Sequence, residues 1–179
     1  MKCISVFGGT QVKEGDRDYS QALKLGRLIG EAGYTVLTGG YIGTMEAISR
    51  GVAESGGHVI GVTCVEIEAW RPVGMNPWVK EEIRCLTLPE RINTLIDQCD
   101  AAFVLPGGPG TLTEAALMWN RLIIESIKPR PLIIVGPGWR SIFELLFHEM
   151  DTFIPERQRK LLAFSPDVEH AFSQLQEIL

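Results

Sequence analysis

The stretch "FVLPGGPGTLTEAALMW", Phe103–Trp119, decides the fold. It begins with an apolar run typical of a buried strand and continues through Pro106–Gly110, a turn of three glycines and two prolines. From Thr111 to Ser126 the apolar residues follow helical spacing, which predicts a helix. A strand that enters a helix through such a turn is the unit of a parallel α/β sheet. Ligands bind outside the carboxyl ends of its strands, where this turn lies.

The same alternation of strand and helix extends to both ends of the chain. The predicted strands are Lys2–Phe7, Tyr34–Thr38, His58–Cys64, Ile83–Leu86, Ala101–Leu105 and Pro131–Val135. The other predicted helices are Tyr19–Gly33, Gly43–Ser55, Leu88–Gln98, Ser141–Met150 and Val168–Leu179. Nearly solidly apolar strands in this order predict an α/β fold of the Rossmann-like, doubly wound type, with a mostly parallel sheet and helices on both faces. We expect residues 1–179 to form a single nucleotide-binding domain.

Charge and composition exclude several classes of protein. A formal net charge of −5 leaves no basic stripe that could neutralise a nucleic-acid polymer. No apolar run reaches the roughly 20 residues that span a bilayer, and no signal peptide is evident, so we expect a cytoplasmic protein without a membrane partner. The four cysteines form no CxxC pair and the three histidines lie far apart, which favours buried thiols over disulfides or a metal site.

Two glycine-rich turns predict anion sites. "TGGYIGTMEA" (Thr38–Ala47) and "PGGPGTLTEA" (Pro106–Ala115) each lead from a strand into a helix. Free N–H groups and the positive end of the helix dipole meet there, and glycine lets a phosphate come close. Neither turn has the GxGxxG or GK[ST] pattern, which disfavours dinucleotide redox chemistry and nucleoside-triphosphate hydrolysis. The alternative is that the glycines merely permit tight packing of strand and helix.

Two charged residues beside these turns have two interpretations each. Glu114 completes a T-x-x-E pattern with Thr111, so it either caps the helix or places a carboxylate next to a bound anion. Arg91 lies near the start of a helix, where a positive charge opposes the dipole. It is either exposed to solvent or paired with an acid such as Glu90, or it binds a phosphate or a reacting carboxylate.

Residues 65–82 form a long excursion without clean periodicity. Such segments in compact domains are functional lids or disordered, and Trp70 and Trp78 argue against disorder. Either tryptophan could stack on a base or pack within the excursion.

At these motifs the chain resembles the LONELY GUY (LOG) family. "PGGPGTLTE" resembles the PGGxGTxxE signature of that family, and "ERINTLIDQCDAAFVLPGGPGT" resembles its arginine-bearing helix running into the PGG strand. "TGGYIGTMEAISRGVAESGGHVIGV" is similar to its GGGxxGLMGAVAxGAxxAGGxVxGV segment. The characterised enzymes of the family are phosphoribohydrolases that cleave nucleoside 5′-monophosphates, and many relatives carry the label "possible lysine decarboxylase".

The resemblance implies roles for individual residues. Arg91 and Glu114 match the catalytic arginine and glutamate of the family, and no metal or other cofactor is implied. The residues implied to bind phosphate or nucleotide are Gly8, Gly9, Gly40, Gly43, Met45, Gly107, Gly108, Gly110 and Thr111. The expected activity is hydrolysis of a nucleoside 5′-monophosphate, with a purine base, to the free base and ribose 5-phosphate.

Departures from the family pattern keep a second function open. Pro89 and Ile92 replace the histidine and lysine that usually flank the arginine, and Tyr41, Ile42 and Thr44 replace the usual residues of the companion loop. The alternative is a protein of the same superfamily that binds or carries a nucleotide or a pterin cofactor without cleaving it. A pyridoxal-phosphate decarboxylase is disfavoured, since such enzymes depend on a lysine in a much larger chain.

The helix after the quoted turn predicts self-association. "AALMWNRLIIES" is apolar on more than one face, and a helix apolar nearly all round must be covered on both sides. A symmetric homodimer through this helix, or a higher homo-oligomer, would cover it, and the LOG resemblance implies the same. The alternative is burial wholly within one subunit.

Overall fold

A computed structural model describes residues 2–179 and places their seven strands in one sheet. The strands are β1 (Cys3–Phe7), β2 (Thr35–Thr38), β3 (His58–Cys64), β4 (Glu81–Cys85), β5 (Ala101–Val104), β6 (Leu132–Val135) and β7 (Ala163–Ser165). Every neighbouring pair is parallel, and the order is β4-β3-β2-β1-β5-β6-β7. The predicted α/β, doubly wound fold is confirmed, with a sheet that is wholly rather than mostly parallel.

Helices cover both faces of this sheet. The helices of residues 2–179 are α1 (Arg17–Glu31), α2 (Thr44–Glu54), α3 (Val65–Trp70), α4 (Leu88–Asp97), α5 (Pro109–Ile123), α6 (Pro137–Glu149), α7 (Glu156–Arg159) and α8 (Val168–Ile178). Successive strand residues point to opposite faces, so Val6 packs with side chains of α1, α2 and α8, and Phe7 packs with those of α4, α5 and α6. None of the helices in this range is long and apolar enough to cross a bilayer.

Strand β1 is the point at which the winding reverses. It pairs with β2 on one side and with β5 on the other. The chain winds outward from β1 to β4, returns to the centre as β5, and then winds outward to β7. The turns that follow β1 and β5 therefore border the crevice in which sheets of this kind bind ligands.

The structure adds three short elements that the sequence analysis missed. Helix α3 fills the first six residues of the predicted excursion, α7 has four residues, and β7 has three. Segments this short complete less than two turns of helix or two repeats of strand, so hydrophobic periodicity cannot reveal them. Helix α5 also begins at Pro109 rather than at Thr111, because proline fits the first turn of a helix.

Candidate active site

The turn after β5 presents its backbone to the crevice. Helix α5 begins at Pro109, which has no N–H group, and the N–H groups of Gly110 and Thr111 have no acceptor within the helix. A Cβ added to Gly108 or Gly110 would meet no atom within 4 Å, so this side of the turn is open. An open helix N-terminus of this kind suits a phosphate group.

The turn after β1 lies between the other two glycine turns. The N–H of Gly9 donates to the carbonyl of Pro106 at 3.0 Å, and the carbonyl of Gly9 accepts from the N–H of Thr44 at 2.9 Å. A Cβ on Gly8 would overlap the Thr44 side chain. The glycine turns that the sequence marks after β1, β2 and β5 are therefore packed together at one end of the sheet.

Two further glycines permit this close approach. Gly43 has a φ of +75°, and a Cβ there would lie 2.7 Å from Thr10 Cα. A Cβ on Gly107 would overlap the Thr111 hydroxyl and lie 2.9 Å from Gly9 N. Tight packing, the alternative that the sequence left open, thus accounts for part of the glycine content. It does not account for Gly108 and Gly110, which border open space.

Arg91 is buried, with 5% of its surface exposed. Its Nε donates to the carbonyl of Val62 at 2.7 Å, and its guanidinium carbon lies 5.7 Å from the centre of the Tyr41 ring. Its Nη1 lies 3.5 Å from Glu114 Oε1. Solvent exposure of Arg91 is excluded, since the residue is buried, and the acid that it pairs with is Glu114 rather than Glu90.

Gly39 makes room for this guanidinium. A Cβ at Gly39 would overlap both Arg91 Nη2 and Met45 Sδ. Met45 itself is buried, and its sulfur accepts from Arg91 Nη2 at 3.8 Å. Met45, predicted to bind the nucleotide, therefore packs against the arginine in this structure, and Gly39 is a site residue that the sequence analysis did not single out.

Glu114 lies in the second turn of α5 and is 9% exposed. The interpretation that it caps the helix in a T-x-x-E box with Thr111 is wrong. The N-cap is Gly108, and no acidic residue lies in the first turn. Burial raises the pKa of the Glu114 carboxyl from 4.5 to about 7, and the positive charge of Arg91 offsets part of this increase.

These groups form a chemically competent set. Positions three residues apart lie on one face of a helix. Glu114 therefore lies on the same face of α5 as Thr111, one turn further from the N-terminal end. A carboxyl group with a pKa near 7 can take up or release a proton at neutral pH, which suits a general base or acid. Arg91 adds a permanent positive charge next to it.

Residues 71–80, the irregular part of the predicted excursion, are attached to the turn after β2. We call them the anchored segment. Asn76 is 4% exposed, and its Nδ2 donates to the carbonyls of Gly40 at 3.1 Å and Tyr41 at 2.9 Å. Its backbone N–H also donates to Gly40 O at 2.8 Å. The carbonyl of Gly40, a residue predicted to bind phosphate, thus accepts from Asn76, which no sequence motif marked.

The two tryptophans of the excursion lie in different environments. Trp70, at the end of α3, is 80% exposed, and the guanidinium of Arg71 lies 5.7 Å from its ring centre. Trp78 is half-buried, and the guanidinium of Arg50 lies 5.7 Å from its ring centre. The guanidinium of Arg91 lies next to the Tyr41 ring instead, 5.7 Å from its centre.

A separate cavity of about 390 Å³ opens on the other side of the turn after β5. Pro106 and Gly107 form part of its wall, and the start of α6 with Trp139 forms another part. Arg91 and Glu114 do not line it. The turn after β5 therefore borders a largely apolar cavity that does not include the charged pair.

Comparisons with known proteins show the family and the fold of this chain. The sequence pattern of the family described as "Possible lysine decarboxylase" matches residues 45–175. The cytokinin riboside 5′-monophosphate phosphoribohydrolase LOG2 of Arabidopsis thaliana is 28% identical over 178 residues, which cover 97% of this chain and 82% of that protein.

Two solved structures share the fold. The molybdenum cofactor binding protein of Rippkaea orientalis is 24% identical, with a TM-score of 0.75 and coverage of 99% of this chain and 96% of that chain. The Moco carrier protein of Chlamydomonas reinhardtii is 26% identical, with a TM-score of 0.69 and coverage of 99% of both chains. The match of the family pattern over most of the sequence shows that this chain belongs to the LONELY GUY family, the "possible lysine decarboxylases".

Proposed function

We propose that this protein hydrolyses the N-glycosidic bond of a nucleoside 5′-monophosphate and releases the free base and ribose 5-phosphate. The observation that carries the proposal is the buried Arg91–Glu114 pair, one helical turn from the glycine-rich start of α5. A relative named for this reaction, LOG2, aligns with nearly the whole chain and supports the assignment. In this proposal the preferred substrate is a nucleoside 5′-monophosphate whose base is a purine.

In this proposal the protein binds the substrate chiefly through its 5′-phosphate. The N–H groups of Gly110 and Thr111 at the start of α5, with the positive end of the helix dipole, bind the phosphate oxygens. The open space beside Gly108 and Gly110 admits the group. A phosphate held there fixes the ribose over the following turn of the helix, so that C1′ faces Glu114. The corresponding nucleoside lacks the 5′-phosphate, and we expect it to be a poor substrate.

Glu114 supplies the charge that the reaction needs. As the bond from C1′ to the base nitrogen breaks, positive charge develops on the ribose ring, and a carboxylate beside it stabilises that charge. A water molecule forms the new bond to C1′ and gives its proton to Glu114. The base leaves with the bonding electron pair and takes up a proton from solvent. A pKa near 7 lets Glu114 accept a proton at neutral pH and release it after the reaction.

Arg91 positions this carboxylate. Its Nε is held by the Val62 carbonyl, and its Nη1 faces Glu114 Oε1 at 3.5 Å. The positive charge keeps part of the Glu114 population ionised despite burial. Loss of this charge would shift Glu114 toward its neutral form, which cannot stabilise a cationic sugar.

The test is base release from a panel of purine and pyrimidine 5′-monophosphates and their nucleosides, followed by chromatography of free base and ribose 5-phosphate. We expect release from monophosphates and little from nucleosides. Glu114→Gln should lower turnover by about 100- to 10,000-fold, the range for loss of a general acid–base group. Glu144→Gln, an exposed position on α6, is the matched control and should keep full turnover. Unchanged turnover in Glu114→Gln would refute the mechanism.

A second candidate function is carriage of a phosphate-bearing pterin cofactor without cleavage. The observation that favours it is the likeness to the Moco carrier protein at 26% identity over nearly the full length of both chains. The substituted positions Pro89 and Ile92 favour it as well. Protein purified from cells that make such a cofactor would retain it, and the panel of nucleotides would give no free base. An empty site together with turnover contradicts this candidate.

The family description does not lead us to propose a decarboxylase. The lysines of the chain lie outside the site: Lys24 pairs with Glu169 on the surface, and exposed Lys80 donates to the Gly57 carbonyl. Neither is placed to form a Schiff base with pyridoxal phosphate next to Glu114. A pyridoxal absorbance band in the pure protein would overturn this conclusion.

We also propose that the protein forms a symmetric dimer through α5. One face of this helix packs inside the subunit through Ala115, Met118 and Leu122. Two other apolar side chains are exposed, Leu112 near the start of the helix by 43% and Ile124 at its C-cap by 63%. Exposed apolar side chains at both ends of a helix can be covered by a second copy related by a two-fold axis.

A further inference from the structure

A positive charge without an acidic partner lies next to the glycine turns. Arg71 directly follows α3, and its Nη1 lies 3.5 Å from the hydroxyl of Thr10 in the turn after β1. No acidic side chain of residues 2–179 forms an ion pair with it, and within the same range its buried Nε–H has no hydrogen-bond acceptor. A shielded N–H of a guanidinium without a partner is costly, so this placement needs an explanation.

The backbone around Arg71 is fixed in place. Its N–H donates to the Ile67 carbonyl at 2.8 Å, and its carbonyl accepts from the N–H of Val73 at 2.7 Å. Five residues further on, Asn76 attaches the anchored segment to Gly40 and Tyr41. Arg71 is thus held from both sides, at α3 and at the turn after β2.

The surroundings of Thr10 show what this charge is near. Thr10 adjoins Gly43, the N-cap of α2, closely enough that a Cβ on Gly43 would lie 2.7 Å from Thr10 Cα. The preceding residue, Gly9, is hydrogen-bonded to Pro106 at the start of the turn before α5. Arg71 therefore contacts the turn after β1, which adjoins the N-cap of α2 and is hydrogen-bonded to the turn that leads into α5. The N-terminal ends of helices attract negative charge.

We propose that Arg71 is an anion-binding residue that contacts the phosphate monoester of the ligand from the side of the anchored segment. The proposal rests on the proposed function in that it concerns the same phosphate site, but it holds equally for a nucleotide that is cleaved and for a cofactor that is only carried. A guanidinium offers paired N–H donors that match two phosphate oxygens. Backbone N–H groups and one arginine together supply the cationic environment that a protein of net charge −5 otherwise lacks.

Stacking on Trp70 does not explain the position of Arg71. The guanidinium lies 5.7 Å from the Trp70 ring centre, but that ring is 80% exposed, and a cation–π contact in water is weak. Such a contact also gives no reason for the side chain to turn toward Thr10. A phosphate site accounts for both the direction and the missing acid.

The test is binding of adenosine 5′-monophosphate and of adenosine by calorimetry, in a Glu114→Gln background that prevents turnover. We expect Arg71→Ala to weaken the monophosphate by about 10- to 100-fold, as for loss of a hydrogen-bonded charge, and to leave adenosine within about twofold. Arg71→Lys should recover part of the loss, since it restores the charge without the paired donors. Arg157→Ala, an exposed arginine on α7, removes the same charge and should change neither affinity.

Three other results overturn the proposal. Equal monophosphate affinity in Arg71→Ala and its parent shows that the arginine does not touch the phosphate. An equal loss for adenosine and its monophosphate shows a structural role only. If the Glu114→Gln parent binds neither the monophosphate nor inorganic phosphate at millimolar concentration, the protein has no phosphate site at this position. Failure of base release in the wild-type protein, with phosphate-dependent binding through Arg71 intact, refutes the hydrolase and leaves this inference standing.

Discussion

Replacing Glu114 by glutamine should change the way in which the stability of the protein depends on pH. In the folded protein, burial raises the pKa of the Glu114 carboxyl from 4.5 to about 7. Below about pH 4.5 the folded and unfolded chains both carry the proton, and the stability associated with this group is fully present. As the pH rises through about 7, the folded chain must ionise a buried carboxyl, and this stability is lost.

The size of the effect follows from the pKa difference. One pKa unit corresponds to about 1.4 kcal/mol, so the rise from 4.5 to about 7 corresponds to about 3 kcal/mol of unfolding free energy. Glutamine has nearly the shape of the protonated carboxyl and does not titrate. Both leave Arg91 without an anionic partner, so that cost cancels. The free energy of unfolding of Glu114→Gln, relative to wild type, should therefore increase by about 3 kcal/mol between about pH 4 and about pH 8.

Urea denaturation of the two proteins at several pH values measures this difference. Comparing the variants at each pH removes the contribution of every other titrating group. The free energy of unfolding of Glu144→Gln, at an exposed position of α6, should differ from that of wild type by a constant amount across the whole pH range. If the difference between Glu114→Gln and wild type changes by less than about 1 kcal/mol across this range, the carboxyl is not ionised at a cost and our account of the pair is wrong.

Three other predictions concern the space around Arg91, the attachment of residues 71–80 and the dimer contact. Gly39→Ala should displace the Arg91 guanidinium, lower turnover by about 100-fold and destabilise the fold by about 1–3 kcal/mol, whereas Gly138→Ala, whose Cβ meets no atom, should change neither; full activity in Gly39→Ala would contradict the geometry. Asn76→Ala should lower the free energy of unfolding by about 2 kcal/mol and speed amide hydrogen exchange of residues 71–80 relative to wild type. Asn120→Ala, on the exposed side of α5, is the control. Unchanged protection of residues 71–80 in Asn76→Ala would show that Asn76 does not anchor the segment. Leu112→Glu combined with Ile124→Glu should convert a dimer to a monomer in light scattering, whereas Leu145→Glu on α6 should not, and a monomeric wild type would exclude the dimer.

The fold could be predicted because its signals are local. Most strands are largely apolar, although β4 carries Glu81, Glu82 and Arg84, and each long helix repeats its apolar residues with helical spacing. The predicted bounds of His58–Cys64 agree with the structure. The glycine turns punctuate these elements at the carboxyl edge of the sheet. Elements of three to six residues, such as β7 and α3, carry too few repeats for such signals and depend on their neighbours for stability.

The candidate site was predictable only in part. The resemblance of the PGG turn and the arginine-bearing helix to a known family drew attention to Arg91 and Glu114, and the structure brings them within 3.5 Å. Spacing alone favoured a helix cap for Glu114, since T-x-x-E is a capping pattern, and the start of α5 at Pro109 removed that role. Gly39 and Asn76 act through contacts with residues distant in sequence, and no local pattern encodes such contacts.

The immobility of Arg91 has a consequence for ligand affinity. A long side chain that is free before binding loses rotamer freedom when a ligand orders it, and this loss subtracts from the binding free energy. Arg91 has already lost that freedom, since Val62 holds its Nε, Tyr41 covers its guanidinium and Gly39 leaves space for one orientation. The entropy of ordering this arginine is therefore spent when the chain folds. Association with a ligand at this site has to order only the ligand, the water around it and the more exposed Arg71.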